Sequence, residues 1–205
     1  MYLLISLGDQ GTKFKDMGYK RPKPLINIFG KEMIFWLLDN INLISFKEII
    51  ISYNKILKMF NFEDLMKKKY PHYNFKFFCL EKDTNGEVET IFNTLEEFKF
   101  KLENLPILLI NGNSFYTTDI IKSWNGENKI FVFEDYLDES IYSYIQINET
   151  NNMVNIIEKI KISNLACTGA YGFKSLYELK IVCKNIIENI EIKKNEHCTS
   201  LIINE

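Results

Sequence analysis

The sequence lacks several features that would place it in a functional class at once. Its 205 residues carry a formal net charge of only −2, which gives no general reason to bind nucleic acid. Its four cysteines include no Cys-x-x-Cys pair, so neither a zinc site nor a disulfide framework is indicated. No uninterrupted apolar run is long enough to cross a membrane, and the first residues lack the pattern of a secretion signal. We therefore expect a cytoplasmic protein that binds neither nucleic acid nor membranes.

Ready-made catalytic motifs are also missing. His72 and His197 have no visible partner for nucleophilic or metal chemistry, so surface or packing roles are the simpler interpretation. The loop Gly8-Asp9-Gln10-Gly11 has neither the three spaced glycines of the dinucleotide fingerprint nor the Gly-Lys-Ser/Thr ending of a Walker A loop. By itself it could be an ordinary turn between a strand and a helix. The lysine runs at 67–69 and 193–194 are expected to be solvated helix ends.

What the chain does contain is an alternation of apolar strands and helical patterns. With 46% hydrophobic residues it can bury a sizeable core, and one domain over residues 1–205 is the simplest organisation. Strands are predicted at 2–6, 47–53, 74–80 and 105–110, with helices at 33–44, 56–70 and 91–102 between them. Such strands pair in parallel through right-handed crossovers. The predicted fold class is α/β, with a Rossmann-like, doubly wound, mostly parallel sheet flanked by helices.

The second half of the chain predicts a different local pattern. A strand at 129–134 is followed by a small β-hairpin, in which 140–148 and 153–161 flank an asparagine-rich turn. Another strand is predicted at 168–173. The last clear element is an amphipathic helix at 175–190, which begins with a Ser175 cap and Glu178 three residues later.

The strongest functional signal lies in the first forty residues. An apolar strand leads into a glycine-bearing loop, and glycine lets backbone N–H groups approach a phosphate because it has no Cβ. Five cations then precede the next helix: Lys13, Lys15, Lys20, Arg21 and Lys23. Pro22 and Pro24 hold the backbone around Lys23 extended. These features predict a nucleotide phosphate at the carboxyl end of the first strand.

The stretch GTKFKDMGYKRPKPLINIFGKEMIFWLLDNI, residues 11–41, resembles the opening of the sugar-phosphate nucleotidyltransferase family. Members carry a Gly-x-Gly-x-Arg-Phe-like loop around the nucleoside triphosphate, then Pro-Lys-Pro-Leu, whose lysine contacts phosphate in the transition state. The resemblance implies catalytic roles for Lys23 and Lys13. It also implies a nucleotide-binding loop that contains Gly8, Gly11 and Thr12. Two residues depart from the pattern, because Lys13 replaces the usual arginine and Asp9 stands where glycine is expected.

A second nucleotide contact is suggested by residues 84–90, TNGEVET. A glycine loop that opens a helix offers unpaired N–H groups, although Thr84 or Asn85 could simply cap the helix while Glu87 and Glu89 satisfy its dipole. The segment is similar to the family's Gly-x-x-Glu-Thr segment, which lines the base pocket. The resemblance implies that Gly86 and Thr90 border the nucleotide and that Glu89 lies near the base or supports the loop.

The expected metal position is occupied by an asparagine. In the family, the turn after the fourth strand usually carries a carboxylate for Mg²⁺, which prefers hard anionic oxygen. The resemblance therefore implies Mg²⁺ as the cofactor and Asn113 as a weaker ligand that replaces the usual aspartate. Asp119 could substitute only if its loop folded back, and capping the next helix is its simpler role. Near the carboxyl end, Leu201 falls where the family has another aspartate.

An acceptor site is implied by two later segments. Glu158-Lys159 and Thr168-Gly169-Ala170-Tyr171 resemble the family's Glu-Lys segment and its Thr-Gly-x-Tyr strand. In the family, the glutamate hydrogen-bonds a sugar hydroxyl and the lysine binds the acceptor phosphate. The resemblance implies that Glu158, Lys159 and Gly169 bind the acceptor. A solvent-facing ion pair at the end of a strand is the alternative for Glu158 and Lys159.

These observations predict a nucleotidyltransferase. It would transfer a nucleoside monophosphate from a nucleoside triphosphate, with CTP or UTP favoured, to a phosphorylated small molecule such as a sugar 1-phosphate, with release of pyrophosphate. The pathway would be nucleotide-sugar or surface-glycan precursor synthesis. An impaired relative that binds nucleotide as a regulatory or binding subunit is the alternative, and Asp9, Lys13, Asn113 and Leu201 favour it. A flavodoxin-like or Rossmann domain of another function would need a different ligand loop.

Overall fold

The computed structural model describes residues 1–99, 103–189 and 199–204. The strands of this part are β1 (Tyr2–Leu7), β2 (Asn27–Ile28), β3 (Lys31–Glu32), β4 (Glu48–Asn54), β5 (Phe75–Leu80), β6 (Ile107–Asn111), β7 (Lys129–Glu134), β8 (Ser143–Ile147), β9 (Met153–Glu158) and β10 (Leu165–Phe173). The helices are α1 (Thr12–Asp16), α2 (Met33–Asp39), α3 (Phe62–Lys69), α4 (Glu87–Glu97), α5 (Leu176–Glu188) and α6 (Thr199–Asn204). The predictions for residues 193–194 and for His197 concern positions outside the described residues.

The main sheet has the order β5-β4-β1-β6-β10-β8-β9, and β7 also pairs with β10. The pairs β5-β4, β4-β1 and β1-β6 are parallel. β10 then runs antiparallel to β6, and the hairpin of β8 and β9 extends the sheet beyond it. The predicted α/β fold, with a mostly parallel central sheet flanked by helices, is confirmed.

The core lies on both faces of this sheet. Successive side chains of β1 point to opposite faces, so Leu3 and Ile5 join one buried cluster while Tyr2 and Leu4 join the other. The first cluster includes the apolar residues of α2 and α3, and the second includes those of α4 and α5. Burial on both faces explains why β1, β4 and β6 have nearly continuous apolar sequences.

Three predicted helices have different limits in the structure. The helix expected at 33–44 ends at Asp39, where the side chain of Asn40 donates a hydrogen bond to the Trp36 carbonyl. The helix expected at 56–70 is divided into a 3-10 turn, Lys55–Phe60, and α3, because Asn61 between them adopts a left-handed conformation with φ of 49°. The helix expected at 91–102 begins at Glu87, four residues earlier.

Two hairpins are present. The predicted hairpin at 140–161 is formed by β8 and β9 and belongs to the main sheet. The second, β2 and β3, forms a separate two-stranded sheet that the sequence did not predict. Its two turn residues, Phe29 and Gly30, have φ values of 50° and 83°, as a tight two-residue hairpin requires. Within the described residues, the helices all fall short of the length and apolarity that a membrane crossing needs.

Candidate active site

The carboxyl ends of β1 and β6 open into a cleft of about 600 Å³. Because these two strands are parallel neighbours, the turns that follow them lie side by side at one edge of the sheet. Ligands of open α/β sheets bind at such an edge. The cleft is lined by the first loop, Lys23, the loop before α4 and the turn after β6. The structure thus brings together three segments that the sequence singled out: the amino-terminal segment, the loop before α4 and the turn after β6.

The first loop is shaped by two residues. Gly11 has a left-handed φ of 65°, and its N–H donates a 2.8 Å hydrogen bond to Oδ1 of Asp9. A Cβ on Gly11 would lie 3.0 Å from Cβ of Lys23, so glycine allows the loop to pack against the lysine. A Cβ on Gly8 would lie 3.0 Å from Oγ1 of Thr90. Glycine at this position therefore allows the loop to pack against α4.

Lys23 lies directly beside this loop. Its Nζ is 2.9 Å from Oδ2 of Asp9, and only 17% of the lysine side chain is exposed, against 64% for Asp9. Burial alone would raise the pKa of Asp9, but the hydrogen bond from Gly11 and the pairing with Lys23 lower it. The proline-flanked lysine and the glycine-bearing turn therefore lie together at one end of the cleft. The charge of Lys23 is paired with Asp9.

The other predicted loop residues divide between the wall of the cleft and its support. Gly8 and Thr12 line the cleft, whereas Gly11 shapes the loop from behind. Lys13 is exposed on α1 and does not line the cleft, although its charge contributes to the lowered pKa of Asp9.

The loop before α4 forms the opposite wall. Gly86 and Thr90 both line the cleft, and the hydroxyls of Thr84 and Thr90 are 2.7 Å apart. Glu89 does not line it; its Oε2 accepts hydrogen bonds of 2.7 and 2.8 Å from the backbone and side-chain N–H groups of Asn85. Glu89 thus supports the loop, which was one of its two predicted positions. Gly86 is the N-cap of α4, in place of the expected side-chain cap from Thr84 or Asn85.

A second cleft, of about 340 Å³, lies beside the first. It is bordered by Glu158 at the end of β9 and by Gly169 in β10. Glu158 Oε2 accepts a hydrogen bond from the Ser143 hydroxyl. Lys159 follows with a positive φ of 54°, its side chain 62% exposed and its Nζ 3.8 Å from Oε1 of Glu158. Glu158 and Gly169 therefore share a cleft, whereas Lys159 does not line it.

Three side chains line both clefts: Glu87, Asn111 and Asn113. The sequence predicted for Glu87 only a favourable interaction with the helix dipole. Glu87 Oε2 accepts a hydrogen bond from the Thr199 hydroxyl. With the Asn111 amide nitrogen turned toward it, that nitrogen lies 2.5 Å from Glu87 Oε1. Burial raises the pKa of Glu87, and the hydrogen bond from Thr199 opposes this shift.

The oxygen donors at this junction fit Mg²⁺. Among residues 1–99, 103–189 and 199–204, no group of three or more His, Cys, Asp or Glu side chains could hold a metal by itself. The junction instead offers one carboxylate and two carboxamides, a set suited to an ion that takes further ligands from water and substrate phosphates. Asp119 does not contribute, because its Oδ1 accepts hydrogen bonds of 3.1 Å from the N–H groups of Ile121 and Lys122.

Comparison with curated proteins finds distant relatives. The chain is 25% identical over 195 residues to the bifunctional protein GlmU of Methanococcus maripaludis, covering 93% of this chain but 43% of that protein. It is also 25% identical over 166 residues to the D-glycero-alpha-D-manno-heptose 1-phosphate guanylyltransferase of Campylobacter jejuni, covering 78% and 69%. The chain thus spans less than half the length of the GlmU protein.

Solved structures show the same fold at low identity. A nucleoside-diphosphate-sugar pyrophosphorylase from Vibrio cholerae has a TM-score of 0.83 at 17% identity, with 100% of this chain and 86% of that chain covered. The inositol-1-phosphate CTP transferase from T. maritima has a TM-score of 0.76 at 13% identity, with 98% and 79% covered. The family model described as nucleotidyl transferase matches residues 4–199. The chain therefore belongs to the nucleotidyl transferase family.

Proposed function

We propose that this protein transfers a nucleoside monophosphate from a nucleoside triphosphate to a phosphorylated small molecule and releases pyrophosphate. The observation that carries the proposal is the meeting of two polar clefts at Glu87, Asn111 and Asn113. One cleft has Lys23 and the glycine loop, and suits the triphosphate. The other has Glu158, and suits the hydroxyls of the acceptor. A reaction between two substrates needs such adjoining sites.

The chemistry needs positioning more than a protein nucleophile. An oxygen of the acceptor phosphate attacks the α-phosphorus in line, and the bond from that phosphorus to the pyrophosphate oxygen breaks as the new bond forms. Lys23 exchanges Asp9 for the triphosphate and neutralises its charge. The exposed Lys13 and Lys159, which do not line the clefts, add positive potential. Mg²⁺ at the junction, with Asn113 as one ligand, would offset charge that develops on the phosphates. No covalent intermediate is required.

The names of the relatives support a 1-phosphate acceptor. A heptose 1-phosphate guanylyltransferase and an inositol-1-phosphate CTP transferase are both similar to this chain, although they use different bases. We therefore favour a sugar 1-phosphate as the acceptor and retain CTP or UTP as the donor. A cytoplasmic role in making nucleotide sugars for surface glycans belongs to the same proposal.

Pyrophosphate release tests this function. The protein is incubated with each of the four nucleoside triphosphates, Mg²⁺ and a panel of sugar 1-phosphates, and the active pair is then used for variants. Lys23→Ala should reduce the rate about 100-fold or more, as loss of a charge-stabilising donor does in other enzymes. Lys20→Ala, an exposed lysine of the same segment, is the matched control. If Lys23→Ala released pyrophosphate at the rate of the unaltered protein, Lys23 would have no catalytic role.

A second function, nucleotide binding without turnover, is favoured by two observations. Asn113 stands at the expected carboxylate position, and Asp9 occupies the ammonium group of Lys23. The same assay separates the two functions. Thermal stabilisation by a nucleotide without pyrophosphate release from any acceptor would support a binding or regulatory subunit.

A further inference from the structure

Glu87 occupies a distinctive place in the site. It is the carboxylate among the three side chains that line both clefts, and the other two, Asn111 and Asn113, are neutral amides. The first turn of α4 brings it there, because Gly86 caps this helix without a side chain and α4 starts at Glu87 itself. A single carboxyl group is thus placed between the proposed positions of the donor and acceptor phosphates.

The orientation of the Glu87 carboxylate is set from two sides. Thr199 of α6 donates to Oε2, and the Asn111 amide lies against Oε1. Ser6 also forms a hydrogen bond with this carboxylate. A carboxylate has about four lone-pair sites, so these three partners leave one for a metal ion. Hydrogen-bonded support of this kind is typical of carboxylates that hold a metal.

The ionisable side chains that line the two clefts are mostly acidic. The walls contain the carboxylates of Asp9, Asp83, Glu87 and Glu158, against the ammonium of Lys23, which Asp9 already neutralises. A nucleoside triphosphate brings several more negative charges. Phosphate oxygens near Glu87 would be repelled unless a divalent cation lies between them.

We infer that Glu87, together with the neutral oxygen of Asn113, binds the divalent cation that accompanies the nucleotide. The negative charge of the metal site would therefore come from the first turn of α4 and not from the turn after β6. The inference rests on the proposed function, because the remaining ligands of the cation would be phosphate oxygens and water. It assigns a role to a residue that is otherwise only a helix-terminal glutamate.

Manganese titration tests this assignment without relying on turnover. Mn²⁺ binding is followed by electron paramagnetic resonance in the presence of CTP, and separately UTP, for the unaltered chain and for Glu87→Gln. Glutamine keeps the shape and accepts the Thr199 hydrogen bond. We expect the affinity for Mn²⁺ in the nucleotide complex to fall about tenfold or more. Nucleotide affinity measured without metal should not fall. Glu97→Gln, an exposed carboxylate at the other end of α4, is the control for charge.

Relocating the charge completes the test. Asn113→Asp should strengthen Mn²⁺ binding, and Glu87→Gln combined with Asn113→Asp should recover most of the affinity that Glu87→Gln loses. A lower melting temperature with unchanged Mn²⁺ affinity in Glu87→Gln would show a purely structural residue and overturn the inference. If the unaltered chain bound none of the four nucleoside triphosphates, with or without Mn²⁺, the proposed function would fail and this inference with it.

Discussion

The pair of Asp9 and Lys23 sets the position of the one cation that, among the described residues, lines the first cleft. The side chain of Lys23 is largely buried. The more exposed Asp9 holds the ammonium group of Lys23, with 2.9 Å between Nζ and Oδ2. Exposed ion pairs are typically worth about 0.2–1 kcal/mol, so a phosphate with several charges can displace Asp9 at little cost. The pair therefore orients the lysine, and it should weaken binding of the proposed triphosphate only modestly.

Asp9→Asn measures that cost. The asparagine oxygen can still accept the hydrogen bond from the Gly11 N–H, whereas the charge that competes for Lys23 is removed. We expect the affinity for the nucleoside triphosphate to rise about two- to fivefold, which corresponds to the free energy of an exposed pair. Isothermal titration calorimetry measures the change, and Asp16→Asn, an exposed aspartate of α1, is the control. A loss of affinity in Asp9→Asn would instead indicate that the carboxylate itself contacts the ligand or its metal.

Among the elements, the turn from β1 into α1 has a specific backbone requirement. Gly11 is left-handed and packs against Lys23. Gly18, beyond α1, is also left-handed, but a Cβ at that position would meet no described atom within 4 Å. The two glycines therefore share a backbone preference and differ in their surroundings. Only Gly11 couples that preference to the candidate site.

Alanine at each glycine separates the two effects. Non-glycine residues in the left-handed region cost about 1–2 kcal/mol, so both Gly11→Ala and Gly18→Ala should lower the melting temperature by about 2–8 °C. Only Gly11→Ala should also weaken nucleotide binding, because its Cβ would displace Lys23. Thermal denaturation with and without nucleotide measures both quantities. Equal nucleotide affinities in the two variants would show that the loop does not need its contact with Lys23.

Element positions explain which part of the site was predictable. The buried strands are short apolar runs, and their positions were predicted to within a few residues. The start of α4 was placed four residues too late, because the apolar periodicity is clear only from Ile91 and the first turn contains glutamates. The role of Glu87 in the site was therefore not predicted. Its hydrogen-bond partner Thr199 is 112 positions away in the sequence. Contacts at such separation leave no local pattern, although a glutamate next to a helix-capping glycine was a usable signal.

At the scale of the whole molecule, the site joins two halves of one sheet. The parallel half of the sheet, which contains β5, β4, β1 and β6, carries the first cleft. The antiparallel strands β8, β9 and β10 carry the second cleft. The halves meet where β10 pairs with β6. The sequence predicted most of these strands, but the pairing of β10 with β6 depends on tertiary packing between segments far apart in the chain and could not be inferred from local patterns.

This arrangement predicts that the two substrates can be perturbed separately. Glu158 borders only the second cleft, and its Oε2 is positioned by Ser143 across the β8-β9 hairpin. Glu158→Gln should raise the KM for the sugar 1-phosphate about 10- to 100-fold, since an ionised hydrogen-bond acceptor is typically worth about 1.5–3 kcal/mol. The dissociation constant of the nucleoside triphosphate should stay within about twofold of the unaltered value, because its cleft lies across the junction.

Pyrophosphate release at varied acceptor concentration gives the KM, and calorimetry gives the affinity for the nucleotide. Glu149→Gln, at the turn of the same hairpin, removes a carboxylate far along the strands and should change neither quantity. If Glu158→Gln weakened nucleotide binding as strongly as acceptor binding, the two clefts would act as one site. The division of labour between the parallel and antiparallel halves of the sheet would then be wrong, because both substrates would depend on the antiparallel half.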